Sequence, residues 1–352
     1  MEKRLAIPFI QAARGVAVVL VMLFHTAQMA DKYFHIDFLG ISDMGRSGGY
    51  AYFFVLTGFL MYTIYHNQFG HADVWKTFIV KRFLRIFPLY WLVTAAVLPV
   101  YFLVPSFGLG FETKPSVIVQ SLLLLPQSHA PILPVAWSLT YIVFFYLAFS
   151  LSFVLSRRTV IVIWTLWLAI VCLINLGWIH LKEDVWIHFL FDALHLEFVL
   201  GVAIAWLVRR FTIRYSGYWL AAGILLFPLV WILRWMNPNV GYINTMYTIG
   251  SALVLIGIGA LRTETPAWIK PLQFLGDASY SILLTSLACL SITLKLASAA
   301  HADQWLGPFA VTIVCFAVSL SLCCLFYVIV EKPLVQRLRT LLVPKKQPAT
   351  SR

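Results

Sequence analysis

Apolar residues run in blocks of roughly twenty along this chain, parted by short polar breaks that hold most of the charge. A bilayer-spanning helix needs about 20 such residues. Cut at charges and prolines, the blocks predict ten helices, over 8–29, 48–66, 84–104, 136–156, 159–179, 188–208, 216–235, 242–261, 274–297 and 307–330. A shorter run, Ser116 to Leu125, precedes Pro126 and suits a re-entrant or surface helix; counted as a span it makes eleven. No repeat and no low-complexity tract interrupts the series.

The basic residues test that count. With the N-terminus inside, nineteen lysines and arginines fall on inner segments: Lys3, Arg4, Lys76, Lys81, Arg82, Arg85, Arg157, Arg158, Arg209, Arg210, Arg214, Arg262, Lys270, Lys332, Arg337, Arg339, Lys345, Lys346 and Arg352. Six fall outside or at outer helix ends: Lys32, Arg46, Lys114, Lys182, Arg234 and Lys295. Inner loops of membrane proteins carry the excess of Lys and Arg, and an odd number of spans inverts half of these loops. The expected fold is an all-α integral membrane protein with about ten transmembrane helices and both termini cytoplasmic, multi-pass in the cell membrane.

Composition agrees, with 61% hydrophobic and 11% charged residues among 352. The net charge of +12 is spread over alternate loops as a topology signal, which sets nucleic acid aside and leaves membrane lipids as the general partner. One transmembrane domain is expected over 1–335 and a basic cytoplasmic tail over 336–352. The start, MEKR before an apolar run too long for a signal peptide, reads as an uncleaved first helix. The five cysteines, Cys172, Cys289, Cys315, Cys323 and Cys324, sit in apolar runs without metal-ligand spacing, so they read as small core residues and no metal is expected.

Polar residues inside apolar spans are where chemistry is sought. The first span carries Arg14 and His25. Eleven residues at about 100° each come within about 20° of three full turns, so the two share one stripe about 16 Å apart along the axis. Read singly, each is as well explained by snorkelling to a headgroup layer; the shared face favours a lined cavity. Helix six carries Asp192, His195 and Glu197. Glu197 lies near mid-helix and needs a partner, either Arg14 or His25 or neighbouring hydroxyls. Asp192 and His195, three apart, are expected to face together. Gly58 beside Thr57, and Gly201, suit close helix packing. Lys81, Arg82 and Arg85 form a basic cluster at the start of helix three that suits either phosphate oxygens or lipid headgroups. Trp137, opening helix four, reads as an interfacial anchor or a stacking surface for a sugar ring. Asp277, near the inner face with Ser279 and Ser281, reads as an N-cap of helix nine as much as a site group, and Glu331-Lys332-Pro333 reads as the stop after helix ten.

With those residues in view, the chain resembles the acyltransferase-3 family of integral membrane acyltransferases over nearly its whole length. An arginine followed after ten residues by a histidine is matched by Arg14 and His25, with Gly15 in place. The FFVLSGFL element resembles Phe53 to Leu60, with Thr57 for serine. RxxRIxPxYW is matched by Arg82, Arg85, Ile86, Pro88, Tyr90 and Trp91. The W-S/T-L element is matched by Trp137, Ser138 and Leu139, the EFxxG element by Glu197, Phe198 and Gly201, the LGxxSYSIYL element by Leu275 to Leu284, and the EKP stop by Glu331 to Pro333. Two positions depart: Ile142 stands where a glutamate is common, and Ser286 where a histidine often ends the SYS element.

The resemblance implies acyl transfer from a cytoplasmic acyl-coenzyme A, acetyl-CoA above all, to a hydroxyl of an envelope polysaccharide or a lipid-linked sugar, by the stand-alone type of enzyme. His25 suits a base near neutrality or a transient acyl carrier. Arg14 would orient the donor or stabilise developing negative charge, with Glu197 as a further catalytic group. Lys81, Arg82, Arg85 and Tyr90 would hold the donor, and Trp137, Ser138 and Tyr141 the acceptor. The missing carboxylate at Ile142 removes one polar contact from helix four, so that either the family's site architecture differs here or that role passes to Glu197. A transporter or flippase of a lipid-linked sugar is the rival, against which stands the lack of a visible repeat. The acceptor, the acyl chain and the oligomeric state are not fixed by the sequence.

Overall fold

A computed structural model describes residues 7–43, 47–180, 184–237, 241–261 and 264–342. Lys3, Arg4, Arg46, Lys182, Arg262, Lys345, Lys346 and Arg352, used in the charge count, lie outside these residues, as does the expected tail beyond Leu342. Regular structure among the described residues is helical throughout. In chain order the helices are α1 (Ile7–Phe34), α2 (Gly49–Tyr65), α3 (Ala72–Leu103), α4 (Pro115–Leu122), α5 (Trp137–Val154), α6 (Arg157–Asn175), α7 (Val185–Leu190) and α8 (Leu194–Arg210). There follow α9 (Ser216–Met236), α10 (Ile243–Ala260), α11 (Lys270–Asp277), α12 (Ser279–Ala299), α13 (Ala302–Leu306), α14 (Pro308–Phe326) and α15 (Lys332–Leu342).

Nine helical stretches among the described residues are long and apolar enough to cross a membrane. The segment expected over 48–66 forms α2, whose 17 residues rise about 26 Å, short of the roughly 30 Å hydrocarbon layer. The run at Ser116 becomes α4, eight residues opened by Pro115, too short to span.

Four expectations on the elements are corrected. Helix three starts at Ala72 rather than 84, so the basic cluster sits on the helix itself; at 32 residues it outreaches the apolar layer. The sixth span is broken between α7 and α8, and Asp192 lies in the break, so the expected shared face of Asp192 and His195 is not formed by one helix. The ninth is broken at Ala278, and Asp277 closes α11 rather than capping α12. Glu331-Lys332-Pro333 does not stop the chain: a π-helical turn over Tyr327–Glu331 leads into α15. Proline is tolerated in the first turn of a helix, where its missing N–H has no intrahelical partner to lose.

The chain divides into two compact units. The first comprises the residues up to His66 together with Ala193–Tyr327. Here α1 is packed on several sides: Val18 and Met22 join Ile282, Leu290 and Val311 of α12 and α14, while Ile10 and Ala17 join Val55, Phe59, Ile204 and Leu255 of α2, α8 and α10. Small residues set the spacing. A Cβ on Gly58 would run into the Phe198 carbonyl, and one on Gly201 into the Val55 carbonyl, so α2 and α8 touch backbone to backbone at a reciprocal pair of glycines. Gly15 and Gly276 do the same for α1 and α11, meeting the carbonyls of Leu272 and Gln11.

The second unit comprises Asn67–Asp192 and the residues from Val328. Its core is aromatic: Phe78 of α3 meets Phe153 and Phe149 of α5 at ring separations of 5.1 and 6.0 Å. Trp75 donates its indole N–H to Ser150 (3.2 Å) across the same contact. Helix α6 buries little of its surface, as a lipid-facing helix does; Cys172 on it is exposed, against the expectation of a core cysteine, whereas Cys315 and Cys323 are buried.

Candidate functional site

In the first unit the Arg14 guanidinium is held at fixed points. Its two terminal nitrogens donate to Gln11 Oε1 (2.8 Å), one turn earlier on α1, and to Ser279 Oγ (2.7 Å), at the start of α12. Gln11 in turn donates to Asp277 Oδ1 (2.8 Å). The contact of Gly15 with Gly276 explains this clasp: without side chains there, the polar residues one turn away come within hydrogen-bonding distance. The break at Ala278 matters too, because it turns Ser279 and Asp277 separately towards α1. Arg14 is half-buried, a cation on a helix otherwise rich in Ala, Val and Leu.

His25 follows on the same unbroken helix, three turns on, so the shared stripe inferred from spacing is preserved. It is half-buried, with Nδ1 3.4 Å from Gln28 Oε1. If Nδ1 carries the proton in that contact, Nε2 presents its lone pair, the form a base requires.

Glu197 is 6% exposed and accepts from Thr248 Oγ1 of α10 at 2.7 Å. The neighbouring turn adds a second bond, Tyr50 Oη donating to Asn244 Oδ1 (3.0 Å). A carboxylate in an apolar bundle is thus set in a polar patch made by α2, α8 and α10, and the glycine crossing of α2 on α8 brings its walls together. Ile142, where a carboxylate was looked for, is half-buried in α5.

The second unit holds the basic cluster. Lys81 is exposed. The Arg82 guanidinium lies 5.4 Å from the Phe78 ring centroid and 5.3 Å from that of Tyr146, a cation between two aromatic faces. Arg85 pairs with Glu331 at 3.7 Å, and Glu331 is 2% exposed. The glutamate expected only to end a helix is therefore an anchor for α3. Tyr90 is fully buried and donates to the Ser121 carbonyl (2.8 Å), tying α3 to α4.

Of the expected acceptor residues, Trp137 and Tyr141 are brought together on one wall of a cavity of about 650 Å³, their rings 6.0 Å apart and near perpendicular. Tyr141 donates to Asp192 Oδ2 at 2.8 Å. Ser138 is buried and turns back to the Val135 carbonyl (3.0 Å).

Sequence reasoning missed Gln11, Asn244 and Thr248, whose only signal was a polar side chain within an apolar run one turn from a partner. Among the described residues, no three His, Cys, Asp or Glu side chains gather as a metal site would require.

A family model described as an acyltransferase domain matches residues 7–328. The chain is 28% identical over 331 residues to the exopolysaccharide production protein ExoZ of Rhizobium meliloti (strain 1021), covering 90% of this chain and 95% of that protein. No solved structure matches.

Proposed function

Because the chain belongs to the acyltransferase-3 family, we propose that it moves an acyl group, acetyl above all, from cytoplasmic acyl-CoA to a hydroxyl of an envelope polysaccharide or lipid-linked sugar. The similarity to an exopolysaccharide production protein supports the acceptor class. The observation that carries the chemistry is α1 itself: a clasped arginine and a half-buried imidazole on one face of one helix.

Transfer to a sugar hydroxyl requires a proton acceptor. We assign His25 Nε2 to it, with Nδ1 turned to Gln28. The hydroxyl proton passes to Nε2, the oxygen attacks the thioester carbonyl, the C–S bond breaks, and the proton is returned to the departing thiolate. On the second route Nε2 attacks the thioester carbonyl, the C–S bond breaks and the ring's Nδ1 proton goes to the departing thiolate; the hydroxyl then attacks the acyl-imidazole, the C–N bond breaks, and the hydroxyl proton passes to the released imidazole. Arg14 is the fixed cation for charge that develops in either route. Its bonds to Gln11 and Ser279 hold it without rearrangement. Glu197 completes the catalytic assignment within the same unit.

For the donor phosphates we assign Arg82 and Lys81; Arg85 joins them as a cation already braced by Glu331, and Tyr90 as the ring that fixes α3. For the acceptor we assign Trp137 and Tyr141, with Ser138 shaping the turn behind them. Both termini are placed in the cytoplasm, on the asymmetry of lysine and arginine.

The test is His25→Ala in purified, membrane-inserted protein. Transfer of radiolabelled acetyl from acetyl-CoA to polysaccharide should fall by at least about 10²-fold, as removal of a general base does. Transfer at the parent rate by folded His25→Ala removes the assignment. Mass spectrometry after a donor-only pulse separates the routes, since only the second leaves an acyl mass on the α1 peptide.

A further inference from the structure

The cavity beside Trp137 lies wholly within the second unit and contains neither Arg14, His25 nor Glu197. Its volume, about 650 Å³, falls within the roughly 300–1,000 Å³ common for small-molecule pockets. Three kinds of group line it. Trp137 and Tyr141 offer aromatic surface. Gln127 adds an amide, its nitrogen 3.3 Å from Ser121 Oγ. Asp184, His188 and Asp192 offer acceptors on the opposite strand of chain, and no lysine or arginine is among the lining residues described.

We propose that this cavity is a carbohydrate-recognition subsite for neutral hexose residues of the acceptor chain. The inference rests on the acyltransferase reading given above and names its substrate class. A pyranose has an apolar C–H face and a rim of hydroxyls. The indole of Trp137 meets the first, as aromatic groups with one apolar surface do. Hydroxyls have donors to give, and the Asp184, His188 and Asp192 side chains can accept them. Two carboxylates set the sign. Asp192 is oriented by Tyr141, and Asp184 is fixed by accepting from the Trp186 and Ile187 N–H groups. A uronate or phosphorylated sugar would bring a third negative charge into a site whose described wall residues include no lysine or arginine, and like charges exclude such ligands.

The experiment uses the full chain in detergent, with cellotetraose and tetragalacturonate as probes, by saturation-transfer NMR. Saturable cellotetraose binding is expected, at least about tenfold tighter than tetragalacturonate. Trp137→Ala should weaken cellotetraose at least about tenfold, and Trp137→Phe should restore part of the loss, with helical circular dichroism checking the fold. His25→Ala should bind cellotetraose as the parent does while losing transfer, so failure of the base assignment and failure of the subsite read out separately. Preference for tetragalacturonate overturns the charge argument. Absent cellotetraose binding, or binding indifferent to Trp137→Ala, overturns the subsite.

Discussion

At the scale of single residues, the basic cluster on α3 divides by environment. Arg85 faces a carboxylate that is 2% exposed, whereas Arg82 lies between two rings and Lys81 projects outward. Removing one member of a buried or half-buried pair costs more than the pair contributes, because the remaining charge keeps its desolvation cost. Arg85→Ala is therefore expected to lower stability by about 1–3 kcal/mol. Arg85→Ala with Glu331→Gln should recover at least half of it, measured by thermal unfolding in a double-mutant cycle. Arg82→Ala removes a cation while leaving Arg85 and Glu331 in place, so it is the cleaner probe of the donor: the KM for acetyl-CoA should rise about tenfold with kcat within about twofold. An unchanged KM would make the cluster a headgroup anchor.

Among elements, the glycine crossings give a sharp contrast. A methyl group at Gly201 has the Val55 carbonyl in its way, while one at Gly217, near the start of α9, meets nothing within 4 Å. Gly201→Ala is expected to cost about 1–3 kcal/mol as an overpacked contact. Gly217→Ala should be neutral or slightly stabilising, since alanine is the better helix former. Melting both variants in the same detergent decides it; equal melting temperatures would mean that α2 and α8 do not meet through these glycines.

The same scale shows what patterning reveals. Apolar blocks located the long helices because hydrocarbon admits little else. The stripe joining Arg14 to His25 was legible because helical periodicity fixes it once the helix is unbroken. The breaks at Asp192 and Ala278 were not legible: polar residues do stand at both, but the apolar stretches on either side add up to spanning length, so length alone read each as one helix. Nor were Gln11 and Thr248, since a short polar side chain inside an apolar run gives no sign of which helix it will face. Glu331 misled differently. A charge before a proline reads as an ending, yet its carboxylate is directed inward to Arg85.

For the whole molecule, the run of basic residues on the segments proposed to face the cytoplasm extends past the last long helix. Helix α15, KPLVQRLRTLL, is strongly amphipathic, buries no residue, and exposes Leu341 and Leu342 beside Arg337 and Arg339. A basic helix with one apolar face lies in the headgroup layer and is drawn to the anionic leaflet. Its side of the membrane follows from the topology proposed here. A cysteine placed at Arg339 or Arg158 should react with a membrane-impermeant maleimide only after the cells are opened, and one at Lys114 should react in intact cells. The native cysteines are first replaced, since Cys172 is exposed. Labelling at Arg339 from outside would reverse the orientation and take the donor away from the cytoplasm. Labelling of Arg158 and Lys114 from the same side would mean that α5 does not cross, and the span count would change with it.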